Sequence, residues 1–223
     1  MHSRFGRTLL VSLVALAPAV AYAGPPLICF PIPIGDSRSL SWGSGSGWNT
    51  PRPDYDRTRL AEDTAALLGP QTRVLVRMET LRRAAIYAST DAAAAKALFE
   101  ALRGRAANAT DKKADPLAQF DLGYAVEAYR QTHHQRDRLF SAGPTEDGYA
   151  LVRQALTARG SDPEMEYAAA LMTCDRARQG LSDKHLQVAL SGAREGSDLA
   201  RTIAAHRPLW GERVEAFRAA AGR

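Results

Sequence analysis

An all-α fold is predicted for this chain by three features of its sequence. From Asp54 onward apolar residues recur at three- and four-residue spacing, helix-breaking signals punctuate the pattern at Gly69-Pro70, Asp115-Pro116 and Gly160, and strand-like alternation occurs only in a proline-broken stretch near residue 30.

The first element is an export signal. Arg4 and Arg7 give a positive start, Leu9 to Val20 form a short apolar run, and Ala21-Tyr22-Ala23 is a small-x-small cleavage site. The run is too short to span a bilayer comfortably, and no later segment reaches the ~18 apolar residues of a membrane helix. We therefore expect cleavage after Ala23, a periplasmic or secreted product, and no integral membrane segment. Residues 24–53 follow as an arm rich in Gly, Pro and Ser. Ile28, Phe30, Ile32 and Ile34 alternate there with Cys29, Pro31 and Pro33, and Trp42 and Trp48 flank a glycine-serine run. A freely solvated linker has little use for so much apolar surface, so the arm is expected to be an extended strap packed on the body, interrupted at Gly43 to Gly47.

The helical domain covers 54–223. Spans are predicted at 54–68, 71–88, 91–108, 116–137 and 146–159. The next opens at the capping signal Ser161-Asp162-Pro163-Glu164 and runs to about residue 178, followed by 183–194, 198–206 and 208–221.

The charge balance, 29 Lys and Arg against 24 Asp and Glu for a net +5, is no nucleic-acid footprint. Lysine occurs only at Lys96, Lys112, Lys113 and Lys184, and the arginines are scattered among acids rather than gathered in a stripe, so no nucleic-acid partner is expected. Lys112 and Lys113 read as a solvated loop. Asn108-Ala109-Thr110 fits a glycosylation sequon that an exported bacterial protein has no use for.

No constellation of residues carries a catalytic or metal signature. The Trp42 to Trp48 stretch misses the serine nucleophile elbow, because Gly45 stands where that motif needs serine. His133 and His134 point in different directions on a helix, neither HExxH nor paired Cys/His occurs, and no metal or cofactor is expected. His185 and His206 stand alone and read as solvated. Glu79 lies three and four residues before Arg82 and Arg83, the spacing of a surface ion pair worth ~0.5 kcal/mol. Glu164 and Glu166, and Asp121 and Glu127, are off-phase for a carboxylate pair.

The hairpin pattern resembles the tetratricopeptide family. From Pro163, Ala169-Ala170 match its Leu-Gly/Ala pair, Ser182 its small contact residue, and Leu186 and Ala189 its second-helix core, while Ser197-Asp198 begins the next cap 34 residues after Pro163. A hairpin from Leu75 places Met78, Leu81, Ala94, Leu98 and Ala101 similarly. Pro116 leads to Phe120 and to Leu122-Gly123, with about a dozen extra residues before the partner helix. Glu166, Thr173 and Arg82 depart from the family pattern, and an irregular helical bundle is the alternative fold. The resemblance implies a concave surface lined by Phe120, Tyr124, Glu127, Tyr167 and Leu171, with Cys174 on the same side, that binds a protein or peptide partner. The chain as a whole, with its arm and the segment Val76 to Arg83, also resembles exported bacterial proteins of no assigned function.

Cys29 in the arm and Cys174 in the body are even in number in an oxidising compartment, so a Cys29–Cys174 disulfide strapping the arm along that groove is expected. The alternative to a binding scaffold is an exported enzyme with a site assembled from Glu79, Asp121 and His134. Clustering of Glu79 with other ionisable groups in a closed pocket would favour the enzyme, and an open aromatic-lined groove the binder.

Overall fold

The computed structural model describes residues 24–45, 47–108, 115–132 and 144–221, so the expected export signal lies outside the described residues. Among those residues all regular structure is helical, and β-pairing is confined to one antiparallel bridge, Trp42 with Pro51. The arm begins with a short helix, α1 (Pro26–Cys29), where full extension was expected. Proline at the first helical position costs nothing there, and the amides of Ile28 and Cys29 bond back to the carbonyl of Pro25. Beyond α1 the chain runs without further helix to the Trp42–Pro51 bridge and turns at Gly35-Asp36, where the Ser37 amide bonds to the Ile34 carbonyl at 3.2 Å.

The body opens with a 3₁₀ turn, Arg57–Arg59, capped by Asp56, that leads into α2 (Leu60–Leu67). Then follow α3 (Val74–Ala88), α4 (Ala92–Asn108), α5 (Pro116–Thr132), α6 (Gly148–Arg159), α7 (Pro163–Met172) and α8 (Gln179–Gly192). Three shorter helices close the chain: α9 (Asp198–Ala205), α10 (Arg207–Trp210) and α11 (Arg213–Ala221). The expected single last helix is broken at Gly211, whose φ of 54° ends α10. The expected extension of α5 to 137 falls outside the described residues.

The α7 boundary differs most from expectation. It stops at Met172, where Thr173 turns its hydroxyl back onto the carbonyl of Ala169 at 2.8 Å, and Asp175 then caps a 3₁₀ turn that starts α8 four residues early. Cys174 consequently sits past the end of α7. Helix α7 starts at Pro163 as expected, but Asp162 alone is the cap, its carboxylate accepting the amides of Glu164 and Met165, while Glu164 accepts the Leu75 amide at 3.1 Å instead of completing a capping box.

Helices α5 and α6 pack antiparallel, as do α7 and α8. Gly123 and Gly148 let the first pair touch backbone to backbone, since a Cβ on either would come within 2.5 Å of the other's carbonyl oxygen. In the second pair Ser182 donates to the carbonyl of Ala170 at 3.1 Å. Helix α3 lies at the centre: every one of its residues except Arg83 is buried, and it packs against α2, α4, α5 and α7. The arm helix α1 rests on α3, α5 and α7, so α3 and the arm together fill the face that α5 and α7 would otherwise expose.

Candidate functional site

Four charges on a helix with no solvent face must find partners within the protein. At about 100° per residue, Arg77 projects nearly opposite to Glu79, Arg82 and Arg83, and each side builds its own network.

The first network holds the arm. Glu79, 1 % exposed, accepts Arg82 Nε at 2.8 Å and Nη2 at 2.9 Å, Arg83 Nε at 2.7 Å, and the backbone amide of Ile32 at 3.0 Å. Arg82 Nη1 donates to the carbonyls of Ile28 at 3.0 Å and Trp48 at 2.8 Å, and Arg83 Nη1 donates to that of Leu40 at 2.8 Å. One turn on, the Tyr87 hydroxyl donates to the Ser41 carbonyl at 2.7 Å and accepts the Arg52 amide at 2.9 Å. Trp42 lies beneath both guanidinium groups, 5.2 Å and 5.5 Å from its ring centre, where cation–π attraction adds to the hydrogen bonds. These bonds run from body side chains to the arm's backbone; Ser39 with Thr80 is a contact between side chains.

A second arm contact comes from the C-terminal helices. His206 Nε2 lies 3.0 Å from the carbonyl of Pro31, an acceptor only, so that nitrogen carries the hydrogen. Nδ1 then accepts the Tyr167 hydroxyl at 2.7 Å, and Trp210 Nε1 donates to the same oxygen at 3.2 Å. Phe30 packs edge-on against the imidazole, 5.6 Å between centres. Burial pushes the His206 imidazole below its ordinary range, with the Pro31 carbonyl and Glu79 acting against it and Arg82 with it. The neutral ring is the form that fits.

A pH dependence follows. Because the folded pKa is depressed, the stability tied to neutral His206 is complete above the unfolded value of about 6.5 and is lost as pH falls through the folded value. Asp121, raised by burial to about 6, acts with the opposite sign between about pH 4 and 6. The difference between wild type and His206→Gln in urea unfolding therefore isolates the histidine. We expect wild type to lose stability relative to the variant between pH 6.5 and 5, and parallel slopes would contradict this assignment.

The opposite side of α3 carries the second network. Arg77 and Asp121 are both essentially unexposed and pair at 2.5 Å, while Arg105 approaches the same carboxylate at 3.8 Å. Arg77 also donates to the carbonyls of Thr72 at 2.9 Å and of Gly69, and Arg105 donates to that of Leu68 at 2.6 Å, fixing the turn between α2 and α3. The second carboxylate oxygen of Asp121 is buried without a hydrogen-bond partner.

A third constellation was not foreseen. Glu166, His185 and Tyr149 converge from α7, α8 and α6, with His185 Nδ1 2.5 Å from the carboxylate and Nε2 2.7 Å from the phenol. The Glu166 carboxylate accepts the hydrogen bond from Nδ1–H, the Tyr149 hydroxyl bonds the other ring nitrogen, and the half-buried trio clasps three helices together. Its trace in the sequence was Glu166 itself, an acid where the repeat pattern carries an apolar residue.

The residues singled out from sequence are placed as follows. Phe120, Tyr124, Tyr167 and Leu171 are buried core, not the lining of an open groove, because α3 and the arm cover them. Glu127 is half-buried and joins Arg130 at 2.7 Å to the amide of Gly148 at 3.1 Å. Glu79 is no surface pair, and His185 and His206 are no solvated residues. Glu79 and Asp121 belong to separate networks, and His134 lies outside the described residues. No disulfide joins Cys29, which is half-buried, to Cys174, which is buried. Burial raises the Cys29 thiol pKa while Arg82 opposes it. The strap is thus held by hydrogen bonds and apolar packing.

Surface depressions of about 360 Å³ include one lined by Arg38, Gln71 and Arg73 and another lined by Glu195 and Arg218; neither of these includes Glu79, Asp121 or a histidine. No group of three metal-ligating side chains occurs among the described residues, and none of their helices is long and apolar enough to cross a membrane. Compared with known proteins, the chain matches no family model, no curated protein and no solved structure.

Proposed function

We propose that this chain is an exported, tetratricopeptide-like scaffold of the bacterial cell envelope, periplasmic or secreted after cleavage behind Ala23, that holds an extended peptide segment of a partner protein across α3 and the ends of α7 and α9. The observation that carries this reading is the way the arm is held. Body side chains grip main-chain groups at Ile28, Pro31, Ile32, Leu40 and Ser41, while apolar side chains fill the space beneath. Recognition through the backbone, with pockets for alternate side chains, is how proteins take up extended peptides in general. The arm occupies the same surface in the free chain.

The test uses the full chain with the arm dislodged by Phe30→Asp and Ile32→Asp, and a labelled peptide covering residues 24–42. Saturable binding by fluorescence anisotropy is the expected result. A variant with wild-type helicity that binds neither this peptide nor other apolar extended peptides would remove the reading.

A further inference from the structure

We infer that the site selects a segment of the pattern apolar, any, apolar, proline, apolar, proline, its first two residues closing a helical turn and the rest extended, and that the arm is a built-in competitor carrying that pattern at residues 28–33. This rests on the peptide-holding reading above and adds the chemistry of the segment held.

The pattern is read from what each arm residue gives to the body. Ile28, Phe30 and Ile32 are buried, whereas Pro31 and Pro33 point to solvent and Cys29 is only half-buried. From Phe30 to Pro33 buried apolar residues alternate with exposed prolines, as the two-residue period of an extended chain requires, while Ile28 is presented from the end of helix α1. The backbone is read just as selectively. The amide of Ile32 is spent on Glu79 at 3.0 Å, so proline is excluded at that position. Positions 31 and 33 are asked for no amide. Residue 31 supplies only its carbonyl, to His206 at 3.0 Å, and residue 28 only its carbonyl outside the arm, to Arg82 at 3.0 Å.

Proline at 31 and 33 then has a positive use. It holds its own φ near −65° and drives the preceding residue into the extended region, so Phe30 and Ile32 are shaped for the site before they reach it. Phe30, at φ −119° and ψ 90°, has that conformation. A preformed segment loses less conformational entropy on docking. The charge arrangement is complementary as well. One buried carboxylate faces the amide, and Arg82, Arg83 and neutral His206 face carbonyls, so an acidic or basic side chain at an anchor position would be buried without a partner.

Tethering makes the arm an effective competitor. A segment tethered to its own site through residues 34–56 competes at an effective concentration of about millimolar, so a micromolar ligand in trans meets a filled site.

The experiment measures binding of synthetic peptides covering residues 27–34, with Cys29→Ser, to wild type and to the Phe30→Asp, Ile32→Asp full-length variant. We expect at least about tenfold tighter binding to the dislodged variant. We also expect at least about tenfold loss when the peptide's Ile32 nitrogen is methylated, or when an anchor is changed to aspartate. Replacing Pro31 and Pro33 by alanine should weaken binding less than methylating Ile32. If methylated and unmethylated peptides bind equally, the pattern is wrong while the peptide-holding reading survives; if no apolar peptide binds the folded variant, both fall. Should the dislodged variant fail to fold, hydrogen exchange of wild type decides: excess peptide must accelerate exchange at the Ile32 amide more than its methylated analogue does, and equal exchange overturns the inference.

Discussion

Replacing Asp121 by leucine should remove about 3–5 kcal/mol of folding stability at pH 7, the cost of leaving one member of a buried ion pair without its partner. The variant strands Arg77, which is 1 % exposed and stays charged at any accessible pH. Arg77→Leu should behave differently. The carboxyl left behind can take up a proton, and with its pKa already raised to about 6 while Arg77 and Arg105 are nearby, removing Arg77 moves it higher. Its loss at pH 7 should therefore be partly recovered at pH 5, whereas the loss in Asp121→Leu should show no such recovery. The double variant should cost less than the two single changes together, because neither charge is then left alone. Urea unfolding of the four proteins at the two pH values is the measurement. Additive losses, or recovery in the aspartate variant, would show that the two groups do not depend on each other.

Glu79→Ala should free the arm before it unfolds the body. The change leaves buried Arg82 with only the carbonyls of Ile28 and Trp48, takes one of the two partners from Arg83, and orphans the amide of Ile32. A loss of about 3–5 kcal/mol is expected from the uncompensated guanidinium, and the weakest part of the fold should yield first. The arm fits that description, since this carboxylate both takes the Ile32 amide and orients Arg82 and Arg83 onto the arm's carbonyls. Limited proteolysis should cut within residues 24–53 in the variant under conditions where wild type is intact, while the far-ultraviolet spectrum keeps its helical form. Glu79→Gln retains an acceptor for Ile32 and should lose less. Cleavage first in the helical body would refute this order of events.

Much of the fold was legible because its signals are local. Gly160, at φ 83°, ends α6, Asp162 caps α7, and Ser197 caps α9 by accepting the amide of Ala200. Each depends on a few neighbouring residues and on backbone sterics that hold in any surroundings. The alternation of Ile28, Phe30, Ile32 and Ile34 marked three arm residues that are buried and one, Ile34, that is half-buried, and it did not mark Leu27, which helix α1 buries beside Ile28. The resemblance drew attention to Leu122-Gly123, and Gly123 proves to be a point of backbone contact between α5 and α6.

The candidate site was not legible, and Glu79 shows why. Its spacing to Arg82 and Arg83 is the same whether the helix face meets water or another segment. What covers that face is set by residues about 30 to 50 positions away, from Ile28 to Trp48, and by His206 at the far end of the chain. One clue was available: Arg77 projects opposite to Glu79, Arg82 and Arg83, so no single solvent face could receive all four.

The sequence by itself determined the helical class, most helix starts and stops, and the apolar rhythm of the arm, because backbone sterics, capping and periodicity act over a few residues. Only the tertiary structure decided that α3 would be central, that Phe120, Tyr124, Tyr167 and Leu171 would be core, and that an apparent surface pair would become the arm's buried anchor. Those outcomes follow from which surfaces exclude water from one another, and that is a property of segments far apart in the chain.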